Sequence, residues 1–143
     1  MRPPGNRVVP YCYGCVRIAD ASCIDGLPPQ LLPDEPLNAL LLEYIPSSPL
    51  TEAGISPEIV DKTVGALRRI HEAGVLHRDV MPRNVLITGE GEVMWVDFDC
   101  AKTKGEWRIT RGHFRGERER VRWVLEDMVG LYLRPPACGI MVG

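Results

Sequence analysis

The apolar positions change period several times along the chain, and each change predicts an element. Between Ser56 and Gly74 they fall at Val60, Val64, Leu67 and Ile70, the three-and-four spacing of one helical face. Ser56 suits the N-cap and Pro57 the first helical position, where a missing N–H costs nothing. Glu58 and Lys62 pair on the outer face. Gly74 closes the helix as a left-handed residue, with Val75 beside it for the accompanying apolar contact. A second apolar stripe, Val121, Val124, Leu125, Met128 and Tyr132, predicts a helix over Glu117 to Leu133, stopped by Pro135-Pro136.

Other stretches read as strands. Val85 to Thr88 and Val93 to Phe98 flank Gly89-Glu90-Gly91, the pattern of a hairpin. Arg7 to Ala19 is β-branched and aromatic, giving one or two short strands near a sheet edge because of Pro10. Leu37 to Ile45 is a short apolar run before Pro46, expected as a buried strand, with Pro46 to Gly54 a connecting turn of some helical character. Asp20 to Pro36, rich in proline and without period, reads as a loop. Cys100 to Gly116 loses period and turns basic, which reads as a solvated loop. Trp95 and Trp123 are expected as core or helix anchors. No internal repeat is visible.

The chain has 143 residues, 45% of them hydrophobic and 25% charged, which fits one domain with a real core. Its net charge of −2 argues against a dedicated nucleic-acid binder. No Lys or Arg occurs between Ile18 and Asp61, where eight carboxylates fall, so the two halves differ electrostatically. No apolar run is long enough for a membrane span, and no apolar region follows the first arginine as a secretory signal requires. Five cysteines without a regular framework fit a reducing, intracellular compartment. Cys12 and Cys15, three apart in a predicted strand, point to opposite faces, and are read as small half-buried strand residues instead of a redox or zinc pair.

Chemistry concentrates between Val75 and Ala101. His77-Arg78-Asp79 is followed by Asn84 five residues after the aspartate, and the predicted hairpin then returns Asp97-Phe98-Asp99 to the same neighbourhood. Two carboxylates and an amide oxygen suit proton acceptance from an attacking hydroxyl and the holding of a hard divalent cation.

The order H-R-D-x-x-x-x-N followed by D-F-x resembles the catalytic and metal-binding loops of the protein-kinase-like family. The similarity runs from about Val8 to Arg111 and is specific from Leu76 to Ala101. It implies a partial α+β kinase fold: the end of the small-lobe sheet, the catalytic hairpin and two main helices. On this reading residues 1–134 form a truncated kinase-like domain, with small-lobe strands and hinge over 8–45. The helix, catalytic loop and metal-loop hairpin follow over 56–101, a C-terminal helix over 117–133 and a tail over 135–143. The chain is also similar to short kinase-like proteins of filamentous fungi. Asp99 in the third position of D-F-D resembles aminoglycoside- and choline-kinase-like relatives.

The resemblance further implies ATP and Mg²⁺ as cofactors. Asp79 would be the catalytic base, Asn84 and Asp97 the metal ligands, and Arg78 the anchor of the segment after the metal loop. Leu86 would lie under the adenine, whose edge would meet the backbone of Glu43 and Ile45 in a hinge, Leu42 to Ile45. His77 would be structural. Partners would be a nucleotide and a protein partner or substrate, with no nucleic acid and no membrane. The sequence has no lysine before Lys62 and no glycine loop ahead of the hinge, parts that normally hold the triphosphate. The expectation is therefore phosphoryl transfer that is weak or lost, with a pseudokinase binding module or an incomplete kinase fragment as the alternative.

Overall fold

The computed structural model describes residues 7–20, 22, 24–26, 36–50 and 54–133, except for the side chains of 131–133. Most of the predicted loop from Asp20 to Pro36, the side chain of Tyr132 and the tail lie outside these residues. The chain divides into two compact units, one holding residues 10–44 and the other residues 4–9 and 45–143.

The first unit is a two-stranded antiparallel sheet of β1 (Cys12–Ile18) and β2 (Leu37–Leu42). The register runs from Ile18 opposite Leu37 to Cys12 opposite Leu42 and shifts between Cys12 and Gly14, where Gly14 takes a φ of 151°. Two expectations are corrected here. Leu40, Leu41 and Leu42 are exposed, not the buried strand that their composition suggested, and Cys12 and Cys15 are exposed free thiols. Within the first unit the described residues form two strands only, so apolar composition alone does not bury them.

The second unit carries the core. Helix α1 (Pro57–Glu72) begins as the sequence predicts, with the Ser56 hydroxyl accepting from the Ile59 N–H at 3.2 Å. Ser56→Ala is expected to cost about 1 kcal/mol in urea unfolding, the usual worth of such a cap. An unchanged midpoint would count against the capping role. Glu58 meets Lys62 at 3.2 Å, and Gly74 leaves the helix at a φ of 81°, its N–H bonded to the His71 carbonyl. Val60, Leu67 and Ile70 are buried, Val64 half-buried, and Thr63 and Ala66 complete the inner face.

This face packs on a three-stranded antiparallel sheet in the order β3 (Ser47–Pro49), β5 (Val85–Thr88), β6 (Val93–Trp95). The expected turn after Pro46 is therefore an edge strand, whose Ser47, Ser48 and Pro49 oppose Thr88, Ile87 and Leu86. Its proline sits at an edge, where no ladder donor is missed. The returning strand stops at Trp95 and not Phe98, because Asp97 adopts a φ of 65° that no strand accommodates. Val8 reaches the free side of β6, accepting from the Trp95 N–H at 2.8 Å.

Helix α2 spans Arg111–Leu133, starting six residues earlier than the apolar stripe indicated. Its first turn is fastened by Thr110, whose N–H donates to His113 Nδ1 at 3.0 Å, a histidine standing where a capping box usually carries Glu. Val121 and Leu125 are fully buried against α1, while Trp123 is 70% exposed and anchors nothing in the core. The supposed solvated loop also contains a short strand. In order, β4 (Val75–Leu76) pairs with β7 (Lys102–Thr103), Val75 opposite Thr103 and Leu76 opposite Lys102. That pairing ties the segment after Asp97 to the residues just before His77.

Candidate functional site

Helix α1 ends at a left-handed glycine and β4 carries the chain into His77-Arg78-Asp79. His77 is fully buried, its ring between Trp95 and Phe98 at centroid distances of 5.0 and 4.5 Å. Its Nε2 lies 3.0 Å from the Val96 carbonyl oxygen, and its Nδ1 accepts from the Asp79 N–H at 3.4 Å. The imidazole thus joins the loop to the strand that leads to Asp97, which is a packing role.

After Asp79 the chain makes one 3₁₀ turn, Pro82–Asn84, before β5. Proline at its first position fixes φ and loses no donor. The turn folds Asn84 back: its Nδ2 donates to the Asp79 carbonyl at 2.9 Å and to Asp79 Oδ2 at 2.8 Å. Arg83 Nη2 donates to the same Oδ2 at 2.7 Å. One carboxylate oxygen is therefore held from two sides. Asp79 Oδ1 has no hydrogen-bond partner among the described residues, and the side chain is 25% exposed.

Asp97 reaches the same edge through the ladder. The Val96 N–H donates to the Asn84 carbonyl at 3.0 Å, so the residue before Asp97 is bonded to Asn84. Asp97 is exposed, and its carboxylate has no hydrogen bond or ion pair among the described residues. Asp99 and Asp79 both act on Cys100: its thiol is pushed above the ordinary range by a hydrogen bond to Asp99 and by the negative charges of Asp99 and Asp79. Asp79 and Asn84 are thus in direct contact, and the Val96–Asn84 bond brings the chain to Asp97 beside them.

Asn84 is 4% exposed with both interactions of its Nδ2 made to Asp79, so the amide presents Oδ1 as its remaining polar atom. The Asn84 amide oxygen and the unpaired Asp97 carboxylate are oxygen donors of the type that Mg²⁺ prefers, an ion that also keeps several waters. Among the described residues no cluster of three or more His, Cys, Asp or Glu side chains is placed to hold a metal.

The other expected site residues are placed as follows. Leu86 lies half-buried in β5 between Pro49 and Met94. Glu43 belongs to the first unit, where its N–H donates to the Tyr11 carbonyl at 2.8 Å and its Oε2 accepts from the Tyr11 N–H at 3.3 Å. Ile45 opens the second unit, with its carbonyl accepting from Ser47 Oγ at 2.9 Å. Arg78 has a φ of 70°, and its guanidinium carbon stands 5.9 Å from the Trp107 ring centroid. Lys102 Nζ is 5.1 Å from the same ring, so Trp107, in the segment after Asp97, has a cation contact with each of them.

Sequence reasoning missed the group that shapes this loop. Glu117 of α2 is 9% exposed, and its Oε1 accepts from the Arg78 N–H at 2.6 Å. Its Oε2 accepts from the His77 N–H at 3.2 Å and lies 2.6 Å from His71 Nε2. His71 Nδ1 is in turn 2.9 Å from Arg118 Nη1. A guanidinium has only donors, so Nδ1 accepts and Nε2–H donates to the carboxylate. Burial pushes the Glu117 carboxyl up, but the hydrogen bonds from His71, Arg78 and His77 outweigh it and hold the group below its usual range. Arg83 was missed too, although its i,i+4 spacing from Asp79 is a readable signal.

Residues 32–112 match the protein kinase domain family. A probable serine/threonine-protein kinase of Streptomyces coelicolor is 34% identical over 80 residues, covering 50% of this chain and 12% of the relative. A probable serine/threonine-protein kinase of Clostridium perfringens is 37% identical over 76 residues, covering 47% and 11%. The human serine/threonine-protein kinase/endoribonuclease IRE2 is 31% identical over 104 residues, covering 68% and 11%. The chain thus spans only 11% to 12% of the length of these three relatives. With more than half of its length matched, the chain belongs to the protein kinase family. Its mixed sheets and helices are those of a partial kinase fold. No helix among the described residues is long and apolar enough to cross a membrane.

Proposed function

We propose that this chain carries the phosphoryl-transfer end of a protein kinase site. The observation that carries the reading is Asp79, with Oδ2 held by Arg83 and Asn84 and Oδ1 left to meet a substrate hydroxyl. Asp79 Oδ1 would orient that hydroxyl and accept its proton as the oxygen bonds to the terminal phosphorus of ATP and the bond from that phosphorus to its bridging oxygen breaks, releasing ADP. A positioned base of this kind is worth roughly 10²–10⁴-fold in rate. Asn84 Oδ1 and Asp97 would hold Mg²⁺, which when bound would neutralise the phosphate charge. Leu86 would underlie the adenine, with the backbone of Ile45 toward its edge, and Arg78 would anchor the following segment. The acceptor class is a protein serine or threonine hydroxyl, as the names of the relatives suggest. The free thiols of Cys12, Cys15 and Cys100 support an intracellular setting.

Transfer by this chain alone is expected to be weak. Lys62, the first lysine in the sequence, is committed to Glu58 and to the Gly91 carbonyl at 2.9 Å, so it is not the lysine that holds the triphosphate. A second reading, a pseudokinase binding module or incomplete kinase fragment without turnover, is favoured by the exposed Leu40, Leu41, Leu42 and Tyr44.

Thermal unfolding with ATP, with and without Mg²⁺, separates the readings. A ligand at a hundred times its dissociation constant adds about 2.7 kcal/mol. In a domain of this size that is several degrees, at roughly 2–4 °C per kcal/mol. The expected result is a Mg²⁺-dependent rise that Asp97→Asn abolishes. A well-folded protein with no rise would leave the binding module, and the absence of any cooperative transition would leave an unfinished fragment.

A further inference from the structure

Within the second unit, the last turns of α1, the turn after β7 and the start of α2 enclose an open groove of about 360 Å³, separate from the edge that holds Asp79. Arg68, Lys104, Arg111 and Arg118 line it, and His71 and Phe114 form its floor. One carboxylate, Glu72, also lines the groove, and it is paired with Arg68 at 3.2 Å. The remaining three cations have no ion pair among the described residues. Lys104 Nζ rests 5.1 Å from the Phe114 ring centroid, with its backbone N–H fixed to the Gly74 carbonyl at 3.0 Å. Arg118 spends one N–H on His71 Nδ1, which leaves the other edge of its guanidinium fork unused.

Three uncompensated cations around one concavity repel each other, and an anion seated between them relieves that repulsion. A carboxylate brings one charge and two oxygens. A phosphate ester brings nearly two charges and three acceptor oxygens, which matches two guanidinium groups and an ammonium. The Phe114 ring and the aliphatic stem of Lys104 offer an apolar wall for the carbon chain that carries the phosphate. A long polyanion is disfavoured by the chain's net charge of −2, and the groove has room for one phosphorylated side chain and its neighbours.

We infer that this groove is a docking site for a phosphorylated serine or threonine side chain of a peptide. The site does not depend on turnover at Asp79. It is nevertheless wired to the catalytic loop, since Arg118 holds His71, His71 holds Glu117, and Glu117 holds the N–H groups of His77 and Arg78.

The test is fluorescence anisotropy with a labelled peptide of glycine and alanine carrying one central phosphoserine, against the same peptide with serine. Phosphorylation is expected to tighten binding at least about tenfold, which is 1.4 kcal/mol. Lys104→Glu and Arg111→Glu, both at exposed positions, should each remove that preference, and rising salt should weaken it. Asp97→Asn should bind as the parent does, so that a failed nucleotide test and a failed docking test remain distinguishable. Equal affinity for the two peptides would overturn the inference, as would full binding by either charge-reversed variant. Tighter binding to single-stranded RNA or to phosphatidylserine vesicles at the same salt would also overturn it and reassign the groove.

Discussion

Glu117→Ala is expected to lower the unfolding free energy by about 3–5 kcal/mol, because it leaves several donors of the loop and of His71 without their acceptor. The side chain is 9% exposed and accepts three hydrogen bonds, at 2.6 Å from Arg78, 3.2 Å from His77 and 2.6 Å from His71. Truncation leaves two backbone N–H groups and a ring N–H without an acceptor, at about 1–3 kcal/mol each when buried. Arg78 adds to the loss. Its φ of 70° is a left-handed conformation that a bulky residue holds only when its surroundings demand it, and the shortest contact imposing it is the one to Glu117. Urea unfolding checks the loss directly, and a midpoint equal to the parent's would sink the network. Glu117→Gln keeps the size and one acceptor oxygen but turns an NH₂ toward donors, so it should fall between the two.

The same contacts fix a pH dependence. The folded Glu117 carboxyl sits below its ordinary 4.5, burial opposing and the three hydrogen bonds prevailing. A depressed carboxyl contributes stability that is complete above the unfolded value and is lost as pH falls through the folded one. The parent should therefore lose this part of its stability on the acid side of about 4.5, and Glu117→Ala should show a flatter acid limb there. Parallel limbs would mean that other carboxylates carry the acid sensitivity.

What was readable in the sequence was local. Helix α1 announces itself through Ser56-Pro57 at one end and Gly74 at the other, each a residue whose own chemistry selects the cap. The Val85–Thr88 strand and the Gly89-Glu90-Gly91 turn are equally self-contained, and the spacing from Asp79 to Asn84 fits the 3₁₀ turn that brings the two side chains to 2.8 Å. What was hidden depends on partners far along the chain. Ser47-Ser48-Pro49 has no strand signal of its own, and its extended state comes from pairing with β5. The first two turns of α2 lack an apolar stripe and are started by Thr110 and His113, a cap that the usual acidic pattern does not predict. In R-G-E-R-E-R the residues Glu117 and Glu119 look alike, yet only Glu117 is turned inward, to donors about 40 residues away. The leucines of β2 mislead in the opposite direction, since composition says buried while the two-stranded ribbon of the described residues leaves them exposed.

Trp95→Ala is the second large loss expected, again about 3–5 kcal/mol, the range for deleting a fully buried large aromatic. Trp95 has no exposed surface, and its ring fills the space between α1 and the loop at His77, donating Nε1–H to the Thr63 carbonyl at 3.2 Å. On its other side the ring lies 5.0 Å from the His77 ring, which is packed in turn against Phe98. A void here therefore opens beneath the histidine that connects the loop to Val96. The backbone bonds of β6 do not depend on the side chain, so the strand itself should persist. Trp95→Phe separates the two contributions: it keeps most of the volume and the contact with His77 while giving up the bond to Thr63, and should cost well under half as much. Urea unfolding of both variants, with amide exchange at His77 and Asp79, reads stability and loop order together. If Trp95→Ala unfolds cooperatively at the parent's midpoint, then the ring is not the floor of the loop. If only the alanine variant speeds exchange at His77, the loop from His77 to Asp79 owes its shape to packing from below as well as to Glu117.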